Sequence, residues 1–165
     1  EAALRRLGAV TDRERDDDLR ETDGFRDAWR ERVVARRGDD AAAEGLAAVL
    51  DVDPGRLAFE TAGDAFVATL DGRPAGRWPS RAAFRADVAA ASVLRERGDG
   101  WVDLDVDRRS ALLDGLRLFL ETCPACDGPV TLDETVVESC CRSIDVVAAT
   151  CADCGARLFE VEAPD

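Results

Sequence analysis

The sequence predicts an α+β fold, and three observations carry that prediction. Apolar residues recur at helical spacing before residue 50 and again between 80 and 120. Between them, residues 56–79 run in short β-prone stretches cut by turns bearing Gly and Pro. Beyond residue 120 all six cysteines crowd between 123 and 154, among Val, Thr and Ile. The expected division is an α+β unit over 1–120 and a cysteine-bearing unit over 121–165.

Thr11–Asp12–Arg13–Glu14 fits a capping box, so the first helical region is expected over about 12–37, interrupted near Gly24. Within it Phe25, Trp29 and Val33 fall on one face, with Ala28 beside them. A second helix is expected over 40–50, with Leu46, Val49 and Leu50 inward. Asp51–Val52–Asp53–Pro54–Gly55 is a turn by composition. Strands over 57–61, 65–70 and 75–78 then form an antiparallel meander, turning at Ala62–Asp64 and Asp71–Pro74. Ser80 is a good N-cap for a helix over 80–97, where Phe84, Val88, Ala91 and Leu94 share a face. Gly98–Asp99–Gly100 stops it, and Trp101, Val102 and Leu104 read as a short extended piece. Asp105 or Asp107 caps a last helix over 107–120, with Leu112, Leu113, Leu116, Phe119 and Leu120 apolar. The three tryptophans, Trp29, Trp78 and Trp101, stand in apolar patterns and mark the main core.

Composition narrows the chemistry. The chain has 165 residues, 22 basic against 35 acidic, for a net charge of −13. Every basic residue is Arg; Lys, His, Met, Tyr, Asn and Gln are absent. Without His there is no Ser–His or Cys–His pair and no imidazole ligand or base. Without Lys there is no Schiff base and no P-loop lysine. A non-enzymatic role is therefore expected. The Asp-rich, Ala-rich, Lys-free composition resembles that of halophilic, salt-accumulating archaea, where a dense carboxylate surface stays hydrated under strong screening. Charge is unevenly spread: residues 1–37 are neutral overall, 38–120 carry −5 and 121–165 carry −8. Any phosphate-binding surface is thus expected near the start. No run approaches 18 apolar residues, so no membrane-spanning helix and a cytoplasmic setting are expected. No signal peptide is visible, and the first residue is Glu1 rather than Met.

The cysteines read Cys123-Pro-Ala-Cys126, Cys140-Cys141 and Cys151-Ala-Asp-Cys154-Gly. A Cys-x-x-Cys turn sets two thiolates on one side of a tight loop whose N–H groups point at sulfur. Two such knuckles, 24 residues apart and separated by β-prone segments (130–132, 135–137, 144–149, then 158–161), suit a tetrahedral four-sulfur site. Residues 121–162 thereby resemble a zinc ribbon. The resemblance implies Cys123, Cys126, Cys151 and Cys154 as ligands of a structural Zn²⁺. One departure is that Asp127 precedes Gly128 after the first knuckle, where zinc ribbons usually carry Gly. Rubredoxin-like iron uses the same ligands but surrounds itself with more aromatic residues than Phe159 supplies. A thiol redox pair and disulfides rank lower. Cys140–Cys141 has two placements. In one long hairpin the pair sits near the tip, too far to reach the metal. With a turn at Asp133–Glu134 it falls on a middle strand. Its readings are a packed or free thiol pair, a redox switch or an extra ligand.

Other features weigh less. Residues 41–57 resemble the first half of a helix-turn-helix, but a strand-like segment follows where the recognition helix belongs. Arg30, Arg36, Arg37 and Arg56 are the candidates for nucleic-acid contact, set against acids spaced to pair with them. Asp16–Asp18 and the alternating Asp103, Asp105 and Asp107 read as solvated carboxylates rather than a calcium loop. The leading expectation is a zinc-binding adaptor or regulatory protein acting on a protein partner. A nucleic-acid-binding regulator using the N-terminal helices is the alternative, and a redox sensor through Cys140–Cys141 the third.

Overall fold

A computed structural model describes residues 2–12, 19–139 and 142–162. The elements run α1 (Ala2–Arg6), β1 (Val10–Asp12), β2 (Leu19–Glu21), α2 (Asp23–Ala35), α3 (Asp39–Leu50), β3 (Leu57–Ala62), β4 (Ala65–Leu70), β5 (Arg73–Trp78), α4 (Arg81–Glu96), α5 (Asp99–Val102), α6 (Val106–Leu116), β6 (Val130–Ser139), β7 (Arg142–Cys151) and β8 (Arg157–Glu162). Helices and antiparallel sheets coexist without crossover units, so the class is α+β as predicted.

The N-terminal region departs from expectation. Thr11 does not open a helix; it lies in β1 opposite Arg20 of β2. The helix starts instead at Asp23, because Thr22 has the extended backbone of a cap and its Oγ1 accepts from the Phe25 N–H at 3.3 Å. The same hydroxyl donates to the Gly8 carbonyl at 2.6 Å, tying the cap to the chain after α1. Gly24 sits inside the first turn of α2 and interrupts nothing. The Asp16–Asp18 run lies outside the described residues.

Helix α4 is the hub. Ser80 caps it as predicted, accepting from the Ala83 N–H at 3.1 Å. Six alanines let neighbours approach on several sides, and Ala82, Ala83, Ala86, Ala89, Ala90 and Ala91 are all buried. One side meets Phe25, Trp29 and Val33 of α2, with Trp101 and Leu116. Phe84 and Val88 meet Leu46 of α3 and Phe66 of β4. Ala82 meets Cys123, Ala149, Cys151 and Leu158. The predicted α2 stripe is therefore core. Trp29 and Trp101 anchor the main cluster, and Trp78 packs edge-on to Phe84 with its ring centroid 4.8 Å away.

The meander forms with β3–β4–β5 order and antiparallel pairing, within a residue or two of the expected bounds. Trp101 lies in the single turn α5 rather than in an extended piece. Its N–H closes that turn on the Gly98 carbonyl at 3.4 Å. Asp105 caps α6, accepting from the Arg108 N–H at 2.8 Å, so this carboxylate serves a helix end. A 3₁₀ turn, Arg117–Phe119, finishes the helical part. After α3 a 3₁₀ turn at Pro54–Arg56 leads straight into β3, and no second helix of a helix-turn-helix follows.

Candidate metal centre

The third sheet has the order β6–β7–β8. Strands β6 and β7 pair continuously from Val130↔Cys151 to Ser139↔Arg142. Asp133 and Glu134 thus sit inside a strand, and the long-hairpin arrangement is the observed one. Nine steps at ~3.3 Å put the Ser139↔Arg142 pair about 30 Å from Cys151. Cys140 and Cys141 lie outside the described residues.

At the other end, the hairpin brings two knuckles together. Their backbones match position for position. In the first, the Asp127 N–H donates to the Cys123 carbonyl at 3.0 Å and the Cys123 N–H to the Gly128 carbonyl at 2.8 Å. In the second, the Gly155 N–H donates to the Cys151 carbonyl at 2.9 Å and the Cys151 N–H to the Ala156 carbonyl at 3.0 Å. The residue after each second cysteine takes a left-handed conformation: Asp127 at φ 63° and Gly155 at φ 71°. Asp is among the few non-glycine residues that tolerate this region, so the departure noted in the sequence leaves the knuckle intact. Gly128 serves another purpose. A Cβ there would stand 2.8 Å from the Asp153 Cβ and 2.6 Å from its Oδ2, so glycine lets the knuckles close on each other.

The four sulfurs of Cys123, Cys126, Cys151 and Cys154 lie within 4.8 Å of one another. The cross-knuckle distances are 3.7 Å for Cys123–Cys154 and 3.5 Å for Cys126–Cys151. A tetrahedral ion with sulfur at ~2.3 Å would need edges of about 3.8 Å. The donor set fits a metal ion. Cys123 and Cys151 are buried, whereas Cys126 and Cys154 are exposed, so the site is half-sunk into the Ala82–Leu158 cluster. Burial pushes the Cys123 thiol up to about 12. For Cys151 burial also pushes upward, but the N–H groups of Cys154 and Asp153 and the neighbouring thiols outweigh it, bringing it down to about 7. The Ala125 N–H reaches the Cys123 sulfur at 3.4 Å, the donor geometry that stabilises a thiolate.

Two contacts fasten this centre to the helical part. Arg37, just past α2, pairs with Asp127. Arg117 is buried and donates from Nη1 to the Leu158 carbonyl at 2.8 Å. Its Nε lies 3.2 Å from Asp87 Oδ1, an ionic contact out of line for a hydrogen bond. Asp87 Oδ2 accepts from the Trp78 indole at 2.8 Å, and Asp114 pairs with Arg117 from its half-exposed side. Burial raises the Asp87 carboxyl to about 6 despite Arg117 and Trp78, which pull it down. Burial likewise lowers the Arg117 guanidinium. Sequence reading missed the buried part of this network, since the contacts that join Trp78, Asp87, Arg117 and Leu158 span 9 to 41 residues and only packing makes them.

The arginine candidates are scattered. Arg37 pairs with Asp127, and Arg56 pairs with Asp71 across the meander. Arg36 is half-buried, and its Nη2 donates to Ser92 at 3.2 Å. Arg30 is exposed on α2, with no pairing partner among the described residues.

Comparison with known families places the chain. Residues 1–118 match the central domain of a family of unknown function, DUF8054, and residues 121–161 match that family's C-terminal domain. The chain belongs to this family. No curated protein and no solved structure matches it. The C-terminal match is to the family's own domain, and it contains all four clustered cysteines.

Proposed function

We propose that the protein is a non-enzymatic, zinc-binding adaptor or regulatory protein. The observation that carries this reading is the four-sulfur cluster, with all sulfurs within 4.8 Å. Cys123, Cys126, Cys151 and Cys154 would hold one Zn²⁺, which cross-links the two knuckles. Four protein ligands fill a tetrahedral ion and leave no open position for a substrate, the mark of a structural site. Zinc is favoured over iron because Phe159 is the one aromatic side chain packed in this cluster. Thiolate ligands also suit a reducing compartment such as the cytoplasm. No helix among the described residues is long and apolar enough to cross a membrane.

A protein partner is favoured over nucleic acid, because three of the four candidate arginines are engaged within the chain. The absence of His and Lys supports a non-enzymatic role. Metal analysis with thiol titration tests the metal reading. The expected result is about one zinc per chain, with two thiols reactive before chelation and all six after. A pure protein with no metal and six reactive thiols would overturn it. Retention on a DNA column that weakens steeply with added salt would move the assignment to a nucleic-acid regulator.

A further inference from the structure

A chain of polar contacts runs from the knuckle cluster to the meander. Leu158 of β8 is wholly buried in one cluster with Cys123 and Cys151, and its carbonyl accepts from Arg117 Nη1 at 2.8 Å. Arg117 Nε stands 3.2 Å from Asp87 Oδ1 in α4, and Asp87 Oδ2 accepts from the Trp78 indole of β5 at 2.8 Å. The apolar cluster of the meander and that of the knuckles share no residue. The charged network bridges them through the interior, and at its far end Trp78 packs on Phe84.

Two features make this link responsive. The first is slack: Arg117 Nε and Asp87 Oδ1 are both out of reach of water, yet neither makes a hydrogen bond. A buried ion pair that is incompletely satisfied costs more than an apolar core of the same shape, so its hold depends on what keeps water out. The second is the seal. Arg117 is buried and its Nη1 ends on β8, part of the unit that, on the structural-zinc reading, folds with its metal. With β8 in place the pair is dry, and its attraction is strong in the low dielectric. With β8 released, Arg117 loses the Leu158 carbonyl, water reaches the pair, and Asp87 holds Trp78 less firmly.

We propose that this network relays the state of the metal centre: zinc at the four cysteines keeps Arg117 and Asp87 sealed, and Asp87 then fastens Trp78 and the meander to α4. Arg117 and Asp87 act as positioning residues and not as ligands. The inference rests on the zinc-binding regulatory reading and supplies its regulation, since loss of zinc loosens a sheet that itself carries no cysteine. Coupling between two sites is reciprocal, so cutting the network also weakens zinc binding.

The test uses the full, zinc-loaded chain labelled with ¹⁵N at pH 7, where the Asp87 carboxyl, raised by burial to about 6, is mostly ionised. Trp78→Phe assigns the Trp78 indole N–H signal, and a chelator then strips the zinc. That signal is expected to shift and to exchange faster with water while the amides of α2 and α3 stay dispersed, and added zinc should restore it. In the double variant Asp87→Asn with Arg117→Met, Asn still offers Trp78 an acceptor but neither charge remains, so the signal should no longer follow zinc. Its zinc affinity, read by chelator competition, should fall about fivefold or more. Asp87→Asn alone makes the same cut with less change in volume. Arg37→Gln removes the exposed link to Asp127 and should leave the Trp78 response intact. A Trp78 signal that ignores zinc in the parent chain overturns the relay, as does a response that survives both cuts. Loss of every dispersed signal on stripping overturns it too, because nothing folded is left to receive the change. Zinc content of the same sample separates the two readings. A zinc-loaded chain with Trp78 unmoved on stripping sinks the relay alone, whereas a folded chain that takes up no zinc sinks the metal centre and the relay with it.

Discussion

Asp127 shows how one residue decides a knuckle. It occupies a left-handed position that its counterpart Gly155 fills without strain, and it also accepts the Arg37 ion pair. Replacing it with Gly relieves backbone strain and loses an exposed pair, two effects of similar size and opposite sign. Asp127→Gly should therefore leave metal affinity within a few-fold of the parent. Asp127→Val places a β-branched residue at positive φ and should cost about 1–2 kcal/mol, near tenfold in affinity. Competition with a chromophoric chelator measures both. Equal affinities for the Val and Gly variants would contradict the strain argument.

The Asp87–Arg117 pair makes a second residue-scale prediction. Asp87 keeps its proton to about 6 in the folded chain, against 3.8 ordinarily. Between those values the folded state binds more proton than the unfolded, so ionising Asp87 costs stability as pH rises. Arg117 offsets that cost. Arg117→Met leaves a buried carboxylate uncompensated and should destabilise by about 3–5 kcal/mol at pH 7. At pH 5 the loss should be smaller, since Asp87 is then mostly protonated. Urea unfolding at both pH values, read as the difference from the parent, checks the sign. A loss that grows on acidification would refute it.

At the scale of elements, the metal centre and the β6–β8 sheet depend on each other. Val130, Cys151 and Phe159 reach the knuckle cluster, so the sheet's base and the sulfurs share one small core. That core alone is too small to hold a 45-residue unit together without a cross-link. Chelation should therefore abolish β-sheet signal from this unit while α2, α3 and α4, with their own clusters, stay helical. Circular dichroism before and after chelation, with hydrogen exchange to locate the loss, tests this. Global unfolding would show that the Arg117 and Arg37 links make one cooperative body. Acid should act in the same direction as chelator, because protons compete with the metal for the four thiolates.

Element boundaries also show what local sequence signals miss. The expected cap and the observed one stand 11 residues apart, at Thr11 and Thr22. Thr11 carries the better local pattern, yet Thr22 caps the helix, because it is held by Gly8 and starts α2 where Phe25, Trp29 and Val33 face α4. Tertiary burial overrode the capping box. The meander was legible because its turns are marked by Asp, Gly and Pro, and the fourth helix because Ser80 precedes a clear apolar stripe.

For the whole molecule, −13 over 165 residues is the dominant electrostatic fact. Self-repulsion of that size destabilises the compact state wherever it is unscreened. Raising KCl from about 0.1 M to 2 M cuts the screening length from ~10 Å to about 2 Å, and the melting temperature should rise accordingly. A melting temperature that is flat or falls across that range would count against a halophilic setting. The C-terminal unit carries −8 of that charge, and two arginines, Arg37 and Arg117, reach across to it.

The sequence by itself determined the α+β class, the meander and the four clustered cysteines, because turn chemistry, apolar periodicity and Cys-x-x-Cys spacing are local. Missing His and Lys also set limits on chemistry before any coordinates. Only tertiary structure decided where α2 begins, that Asp127 takes the glycine position, and that Arg117 is buried against Asp87 and Leu158. Each of these depends on distant segments meeting over α4, and the cost of burying a charge or straining a backbone is set by that meeting, not by near neighbours in the chain.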